Sequence, residues 1–71
     1  METITITTEF IRLQDLMKLA SLTSTGGEAK SLIQDGQVLV NGEICRQRGR
    51  KLRPGDVVTF QGRDYTTAYA P

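Results

Sequence analysis

The chain has 71 residues, of which 38% are hydrophobic and 24% are charged, and its formal net charge at pH 7 is +1. A chain of this length predicts one domain, residues 1–71, with a core too small to surround a deep catalytic cavity. It contains no histidine and one cysteine, Cys45, which excludes an internal disulfide and any catalytic or metal site built from Cys and His. We therefore expect a protein that is not an enzyme and that needs no cofactor.

The sequence shows none of the segments that direct a chain to or through a membrane. No apolar run approaches the ~20 residues that a membrane-spanning helix needs. The first residues alternate between Thr and Ile, whereas a signal peptide has a basic region followed by an apolar one. We expect a cytoplasmic, monomeric protein.

The first predicted elements are a strand and a short helix. From Thr3 to Thr7, Ile alternates with Thr, which predicts a half-buried strand. A helix is predicted from apolar residues at helical spacing, which are Leu13, Leu16, Met17 and Ala20. Arg12 occupies the expected start of this helix, where a cation is unfavourable because the helix N-terminus is itself positive. This position marks Arg12 as a candidate functional residue, with plain solvent exposure as the alternative.

A second helix is marked at both ends. Residues 21–27 predict a polar connection, and within them Thr25 begins a T-x-x-E capping box that Glu28 completes. Gly36 stands where a residue in the left-handed conformation would end the helix. The predicted buried stripe of this helix consists of Ala29, Leu32 and Ile33. We expect the two short helices to pack against each other through their apolar stripes.

The second half of the chain predicts strands and tight turns. A β-hairpin is expected from Val38–Val40 and Glu43–Cys45, because an Asn-Gly turn joins them. Pro54, Gly55 and Asp56 then predict a turn before the next strand. The pattern as a whole is typical of an α+β fold, with two packed short helices beside a small, mostly antiparallel sheet.

The last residues predict a final hairpin and a free end. A strand from Val57 to Phe60 leads through a Gln-Gly turn to a return strand, Arg63–Thr66. Residues 67–71 are expected to form a loose tail. Tyr65 and Tyr69 could stack on nucleic-acid bases, although packing on the sheet is the simpler interpretation.

Charge is divided unevenly along the chain. Residues 1–43 contain three cations and six acids, whereas residues 44–71 contain six cations and two acids. Five of these cations follow one another without an intervening acid, namely Arg46, Arg48, Arg50, Lys51 and Arg53. Clustered positive charge favours a polyanionic partner such as a phosphate backbone. On charge alone, a solvated surface segment is the alternative.

The order of these motifs resembles a known family, the small RNA-binding domain named after the fourth small-subunit ribosomal protein and also called the αL motif. The resemblance covers residues 12–60 and rests on E-A-K-S-L-I at 28–33, G-Q-V-L-V-N-G at 36–42 and P-G-D at 54–56. It is strongest to stand-alone bacterial versions, which carry Gly-Gly before Glu-Ala-Lys and a basic run ending in R-P-G-D. The resemblance implies the αL fold and non-catalytic binding of structured or ribosomal RNA, with association with the ribosome.

Charge and resemblance together give the candidate RNA-binding residues, which are Arg12, Lys30, Arg46, Arg48, Arg50, Lys51 and Arg53. Their side chains would hold phosphates and recognise backbone shape more than base sequence. Many family members carry basic residues where Gly26 and Ser31 stand here, so the second helix contributes less charge in this chain. Two alternatives remain: an adaptor that uses the same basic face on an acidic protein, and duplex DNA binding.

Overall fold

The computed structural model describes residues 1–71 and contains two helices and seven strands. In chain order the elements are β1 (Glu2–Ile6), β2 (Ile11–Arg12), α1 (Leu13–Leu19), α2 (Gly26–Gln34), β3 (Val38–Val40), β4 (Glu43–Ile44), β5 (Lys51–Leu52), β6 (Val57–Phe60) and β7 (Arg63–Tyr69). The predicted α+β fold class is confirmed. The two-residue strands β2 and β5 were not predicted, because so short a pairing leaves no periodic signal in the sequence.

The strands form two sheets. The larger has the order β1-β7-β6-β3-β4, in which β1 and β7 are parallel and all other neighbours are antiparallel. The smaller consists of β2 and β5, which pair in antiparallel fashion at the start of α1. The sheet is therefore mostly antiparallel, as predicted.

Helix α2 is capped as its sequence predicts. The Thr25 hydroxyl accepts a hydrogen bond from the Glu28 N–H (3.2 Å), and the Glu28 carboxylate accepts one from the Ser24 N–H (3.0 Å). The carboxylate thus reaches one residue further back than in the usual capping box. The helix begins at Gly26, so Gly26 and Gly27 lie in its first turn and not in the predicted connection.

The C-terminus of α2 forms a Schellman motif. Gly36 has φ of +77°, and its N–H donates to the carbonyl of Ile33 (3.1 Å). The N–H of Gln37 donates to the carbonyl of Leu32 (3.2 Å). These two bonds satisfy carbonyls that the helix itself cannot pair, and the chain turns directly into β3.

One hydrophobic core joins the helices to the inner face of the larger sheet. Its twelve buried members are Leu13, Leu16, Met17, Ala29, Ile33, Val38, Val40, Cys45, Leu52, Val58, Phe60 and Tyr65. Leu32 was predicted to belong to the buried stripe of α2, but it is only partly buried at the edge of this core. Cys45 packs in this core as a small apolar residue with a free thiol.

The predicted loose tail is wrong. Strand β7 does not stop at Thr66 but continues to Tyr69, and its five residues from Tyr65 to Tyr69 pair in parallel with Glu2–Ile6. The pairing follows from β1, which would otherwise expose its hydrogen-bonding groups on both sides. The alternation of Tyr65 and Thr67 toward the core carried this signal. Because Tyr65 is buried, it cannot stack on a base.

Candidate nucleic-acid interface

The residues 46–53, here called the basic segment, cross the N-terminus of α1. The N–H of Leu13 donates to the carbonyl of Arg50 (2.8 Å), and the N–H of Gln14 donates to the carbonyl of Arg48 (3.0 Å). Arg12, the N-cap residue, makes no side-chain capping bond. Two N–H groups that the helix leaves free are therefore satisfied by the backbone of the basic segment, which fixes this segment against α1.

Arg12 and Lys51 carry like charges at directly opposite positions of the β2–β5 pair. Their neighbours Ile11 and Leu52 are also opposite each other, and Leu52 is fully buried while both cations are exposed. Side chains at directly opposite positions project to the same face of a sheet, and like charges there repel. The pairing thus places two cations on the same face of the small sheet, and no acid lies within ion-pair distance of either one.

Lys51 is oriented by an aromatic ring. Its ammonium nitrogen lies 4.8 Å from the centroid of the Phe10 ring, a cation–π contact. Phe10 is partly buried just before β2. This contact offsets part of the repulsion from Arg12 and holds the ammonium group beside the start of α1.

The other end of the basic segment is held by Asp56. Its carboxylate accepts hydrogen bonds from the Arg53 N–H (2.9 Å) and from the Asn41 side-chain amide (3.1 Å). The carbonyl oxygen of the same Asn41 amide accepts from the Val57 N–H (2.9 Å). Asn41 and Asp56 therefore clamp the β3–β4 turn to the Pro-Gly turn that follows the basic segment.

This clamp lowers the pKa of Asp56 below its usual value. The main cause is the hydrogen bond from the Arg53 N–H. Partial burial acts in the opposite direction, while the Asn41 hydrogen bond and the charges of Arg50 and Arg53 lower the pKa further. The carboxylate thus stays ionised beside two of the candidate cations.

Arg46 is committed in part to α2. Its guanidinium Nη1 donates to the carbonyl of Gln34 (2.8 Å) in the last turn of the helix. The planar group lies over Gly36, so close that a Cβ atom built there would be 2.9 Å from Nη2. A cation at a helix C-terminus is favourable, so Arg46 has a structural role that its place in a basic run did not indicate.

The candidate residues are therefore not equivalent. Arg12, Arg48, Arg50 and Lys51 are brought together around the start of α1, and Arg53 adjoins them at the Asp56 clamp. We call these five residues the basic face. Lys30 is exposed on α2, and no hydrogen bond or ion pair joins it to the basic face.

The cations of the basic face lack acidic partners within ion-pair distance. The one ion pair of the protein joins Lys18 to Asp15 (3.5 Å) on the exposed surface of α1. No group of three or more acidic, Cys or His side chains is arranged to hold a metal ion. Neither helix is long and apolar enough to cross a membrane.

The sequence did not point to Phe10, Asn41 or Asp56 as supports of this surface. The Asn-Gly and Pro-Gly-Asp motifs indicated turns, and nothing in either motif tells that the two side chains meet across 15 residues of chain. The pairing of Phe10 with Lys51 depends on the unpredicted β2–β5 sheet. These supports come from tertiary contacts, which local patterns do not encode.

Comparison with known proteins agrees with this architecture. The S4 domain matches residues 4–68 of the chain. The chain is 48% identical over 59 residues to the "Probable ribosome maturation protein RlbA" of Bacillus subtilis (strain 168), and the match covers 83% of each chain. It is 36% identical over 52 residues to the "Putative RNA-binding protein YbcJ" of Escherichia coli (strain K12), which covers 73% of this chain and 74% of the relative.

A solved structure extends the likeness to the whole fold. The solution structure of YbcJ from E. coli, described as revealing an αL motif involved in RNA binding, aligns with a TM-score of 0.71 at 31% identity. The alignment covers 99% of this chain and 89% of that one. The family resemblance indicated by the sequence motifs is thereby confirmed, and the chain belongs to the S4 domain family.

Proposed function

We propose that this protein is a non-catalytic RNA-binding protein that recognises structured RNA, ribosomal RNA in particular, through the basic face. The observation that carries the proposal is the like-charged pair of Arg12 and Lys51 on opposite strands. Repulsion between these residues is unfavourable for the isolated protein, and a polyanion would relieve it. The relatives named above as an RNA-binding protein and a ribosome maturation protein support the same assignment.

The mechanism follows from how the basic face is built. The backbone of the basic segment is fixed at α1 by two hydrogen bonds and at Asp56 by a third, so its side chains start from a defined position. Arginine can donate two parallel hydrogen bonds to a phosphate, and lysine supplies a point charge. Contacts of this kind read the path of the backbone more than the identity of the bases.

Arg46 and Lys30 have secondary parts in this proposal. Arg46 gives one guanidinium N–H to Gln34 and keeps its remaining donors for RNA. Lys30, which rests on the family resemblance, would extend the surface along α2. Neither residue is needed to form the basic face.

The experiment compares two double variants with the same change in net charge. R48Q/K51Q removes two cations of the basic face, and K18Q/R63Q removes two cations outside it. We expect the first to lose most of its affinity for ribosomal RNA in a filter-binding titration and the second to bind like the parent. Thermal unfolding should be nearly the same for all three proteins, because exposed charges contribute little to stability.

Equal loss of affinity for RNA in both double variants would show that the basic face is not the binding site and that only nonspecific electrostatic attraction acts. Binding of an acidic protein that RNA does not displace would favour an adaptor role instead. Equal affinity for duplex DNA would remove the preference for RNA.

A further inference from the structure

Beside the basic face, an open groove runs between β4 and the basic segment. It has a volume of about 450 Å³ and is lined by Ile44, Cys45, Arg46, Gln47 and Arg50. Cys45 forms the buried floor, and the other four residues are exposed. The groove thus combines one large apolar side chain, one amide and two guanidinium groups.

Ile44 is the unusual member of this set. It is 57% exposed although it lies in a strand, and its neighbour across the hairpin is Leu39. A single exposed apolar residue is ordinary in a small protein. Here, however, the exposed side chain lines the same groove as two of the candidate RNA-binding arginines.

The walls of the groove are fixed before any ligand arrives. The Arg46 guanidinium is held by the carbonyl of Gln34 and lies over Gly36. On the other side, the N–H of Arg50 donates to the carbonyl of Gln47 (3.1 Å), which closes the turn between them. The Cys45 thiol donates to the same carbonyl (3.7 Å). A preorganised site loses less conformational entropy on binding than a flexible one.

We propose that this groove receives one unpaired nucleotide of the bound RNA. The base would lie between the Ile44 side chain and the guanidinium plane of one arginine of the groove. The phosphate of the nucleotide would contact the guanidinium of the other arginine. The Gln47 amide would face the edge of the base. A base inside a duplex offers neither of its faces to a protein, whereas a bulged or looped nucleotide offers both. The inference rests on the proposed function and adds a substrate class, RNA with an unpaired nucleotide, to it.

The test uses two RNA hairpins that differ by one nucleotide. Both have the same stem, and one carries a single bulged 2-aminopurine whose fluorescence reports its stacking. The parent protein should bind the bulged hairpin about fivefold more tightly than the paired one, the lower end of what stacking on a side chain contributes per base. The fluorescence of the bulged 2-aminopurine should change when the parent protein binds.

Two variants with matched exposure separate the groove from its surroundings. Ile44→Ala should bind both hairpins equally and abolish the fluorescence change. Leu19→Ala removes a side chain of nearly equal exposure (55%) on α1 and should keep the preference of the parent. Because both side chains are exposed, thermal unfolding should change little in either variant. Ile44→Leu should restore the preference, since it restores the apolar surface.

The possible failures are distinguishable. If the parent binds both hairpins equally well, or if Ile44→Ala keeps the preference, the groove is not a nucleotide site and the proposed function stands. If the parent binds neither hairpin nor ribosomal RNA, both proposals are overturned. R48Q/K51Q should weaken binding of both hairpins by the same factor, because it acts on the phosphate contacts.

Discussion

At the level of single residues, the most informative arrangement is Arg12 opposite Lys51. Two cations face each other where a charged pair of opposite sign would stabilise the sheet. The helix that follows Arg12 would also favour an acid at this position, because its first turn is positive. Arg12 is therefore unfavourable for the fold both opposite Lys51 and at the N-terminus of α1, which makes it a candidate for function. Its replacement should affect RNA binding and stability differently.

Arg12→Ala should leave the melting temperature unchanged or raise it slightly, because it removes a repulsion and no hydrogen bond. It should weaken RNA binding by roughly 1 to 3 kcal/mol if the guanidinium makes a charge-assisted contact. Thermal unfolding and a filter-binding titration measure the two effects. Arg63→Ala, at the first residue of β7, is the control. If Arg12→Ala unfolds the protein or binds as the parent does, Arg12 is not an RNA contact.

A second prediction compares substitutions at Gly36 and Gly62. Both have positive φ, +77° and +76°, but a Cβ at Gly36 would meet the Arg46 guanidinium, whereas a Cβ at Gly62 would meet nothing within 4 Å. Gly62→Ala should cost about 1 to 2 kcal/mol for the left-handed conformation alone. Gly36→Ala should cost more, because the guanidinium must also move away from Gln34.

The comparison of Gly36→Ala and Gly62→Ala by urea denaturation isolates the Arg46 contact. In an Arg46→Ala background the two glycine substitutions should cost the same. If they already cost the same in the parent, the Arg46 guanidinium is not held over Gly36 in solution.

At the level of elements, the sequence predicted the helices and strands that end in a recognisable local motif, such as a helix cap or a tight turn. Helix α2 has a capping box and a C-terminal glycine, and the β3–β4 hairpin has an Asn-Gly turn, so each could be placed from local chemistry. The C-terminal part of β7 could not, since Thr67–Tyr69 form a strand only because β1 lies beside them. Strands β2 and β5 could not be predicted either, because each has two residues that form a strand only by pairing with the other strand.

Within α2, two neighbouring residues of the predicted buried stripe, Leu32 and Ile33, differ in burial. Ile33 is fully buried, whereas Leu32 is only partly buried at the core edge. Ile33→Ala should cost about 2 to 5 kcal/mol, a large share of the stability of so small a domain. Leu32→Ala should cost clearly less. Chemical denaturation of both variants measures the difference, and equal costs would contradict the observed orientation of the helix.

The Asn41–Asp56 clamp gives a prediction about pH. Because the pKa of Asp56 is lowered in the folded protein, ionised Asp56 stabilises the fold at pH values above its unfolded pKa, about 3.8. This contribution is lost as the pH falls through the folded pKa, where the carboxyl group becomes protonated in both states. Asp56→Asn should therefore be less stable than the parent near pH 6, and the difference should shrink toward pH 2.

Denaturant unfolding between pH 2 and pH 6 measures this effect. Glu43→Gln, which neutralises an exposed carboxylate on β4, is the control for the loss of one negative charge. A stability difference between Asp56→Asn and the parent that stays constant with pH would show that the clamp does not depend on the ionised carboxylate.

At the level of the whole molecule, cations are gathered in the basic face, and no acid lies within ion-pair distance of them. The uneven division of charge was visible in the sequence, and so were the five cations of the basic segment. The grouping of Arg48, Arg50 and Lys51 around the start of α1 was not visible, because it depends on backbone bonds from Leu13 and Gln14 to the basic segment. For the same reason the sequence could not separate Arg46, which partly serves α2, from its neighbours.

The dependence of RNA binding on salt measures how many phosphates the protein contacts. With about four contacts, the logarithm of the association constant should fall with the logarithm of salt concentration at a slope near −3 to −4, at ~0.7 to 0.9 per contact. R48Q/K51Q should reduce the steepness of the slope by about 1.4 to 1.8, and K18Q/R63Q should leave it unchanged. A flat salt dependence of the parent would exclude the phosphate contacts.

The parallel pairing of β1 with β7 has a mechanical consequence. The first strand and the last strand run side by side in the same direction, joined along five residues each. A force that pulls the two ends of the chain apart therefore acts along these strands and loads their hydrogen bonds together, in shear. By contrast, a force that separates the antiparallel strands β6 and β7 from one end would break the hydrogen bonds between them one after another. We expect the domain to resist stretching from its ends more than its small core suggests.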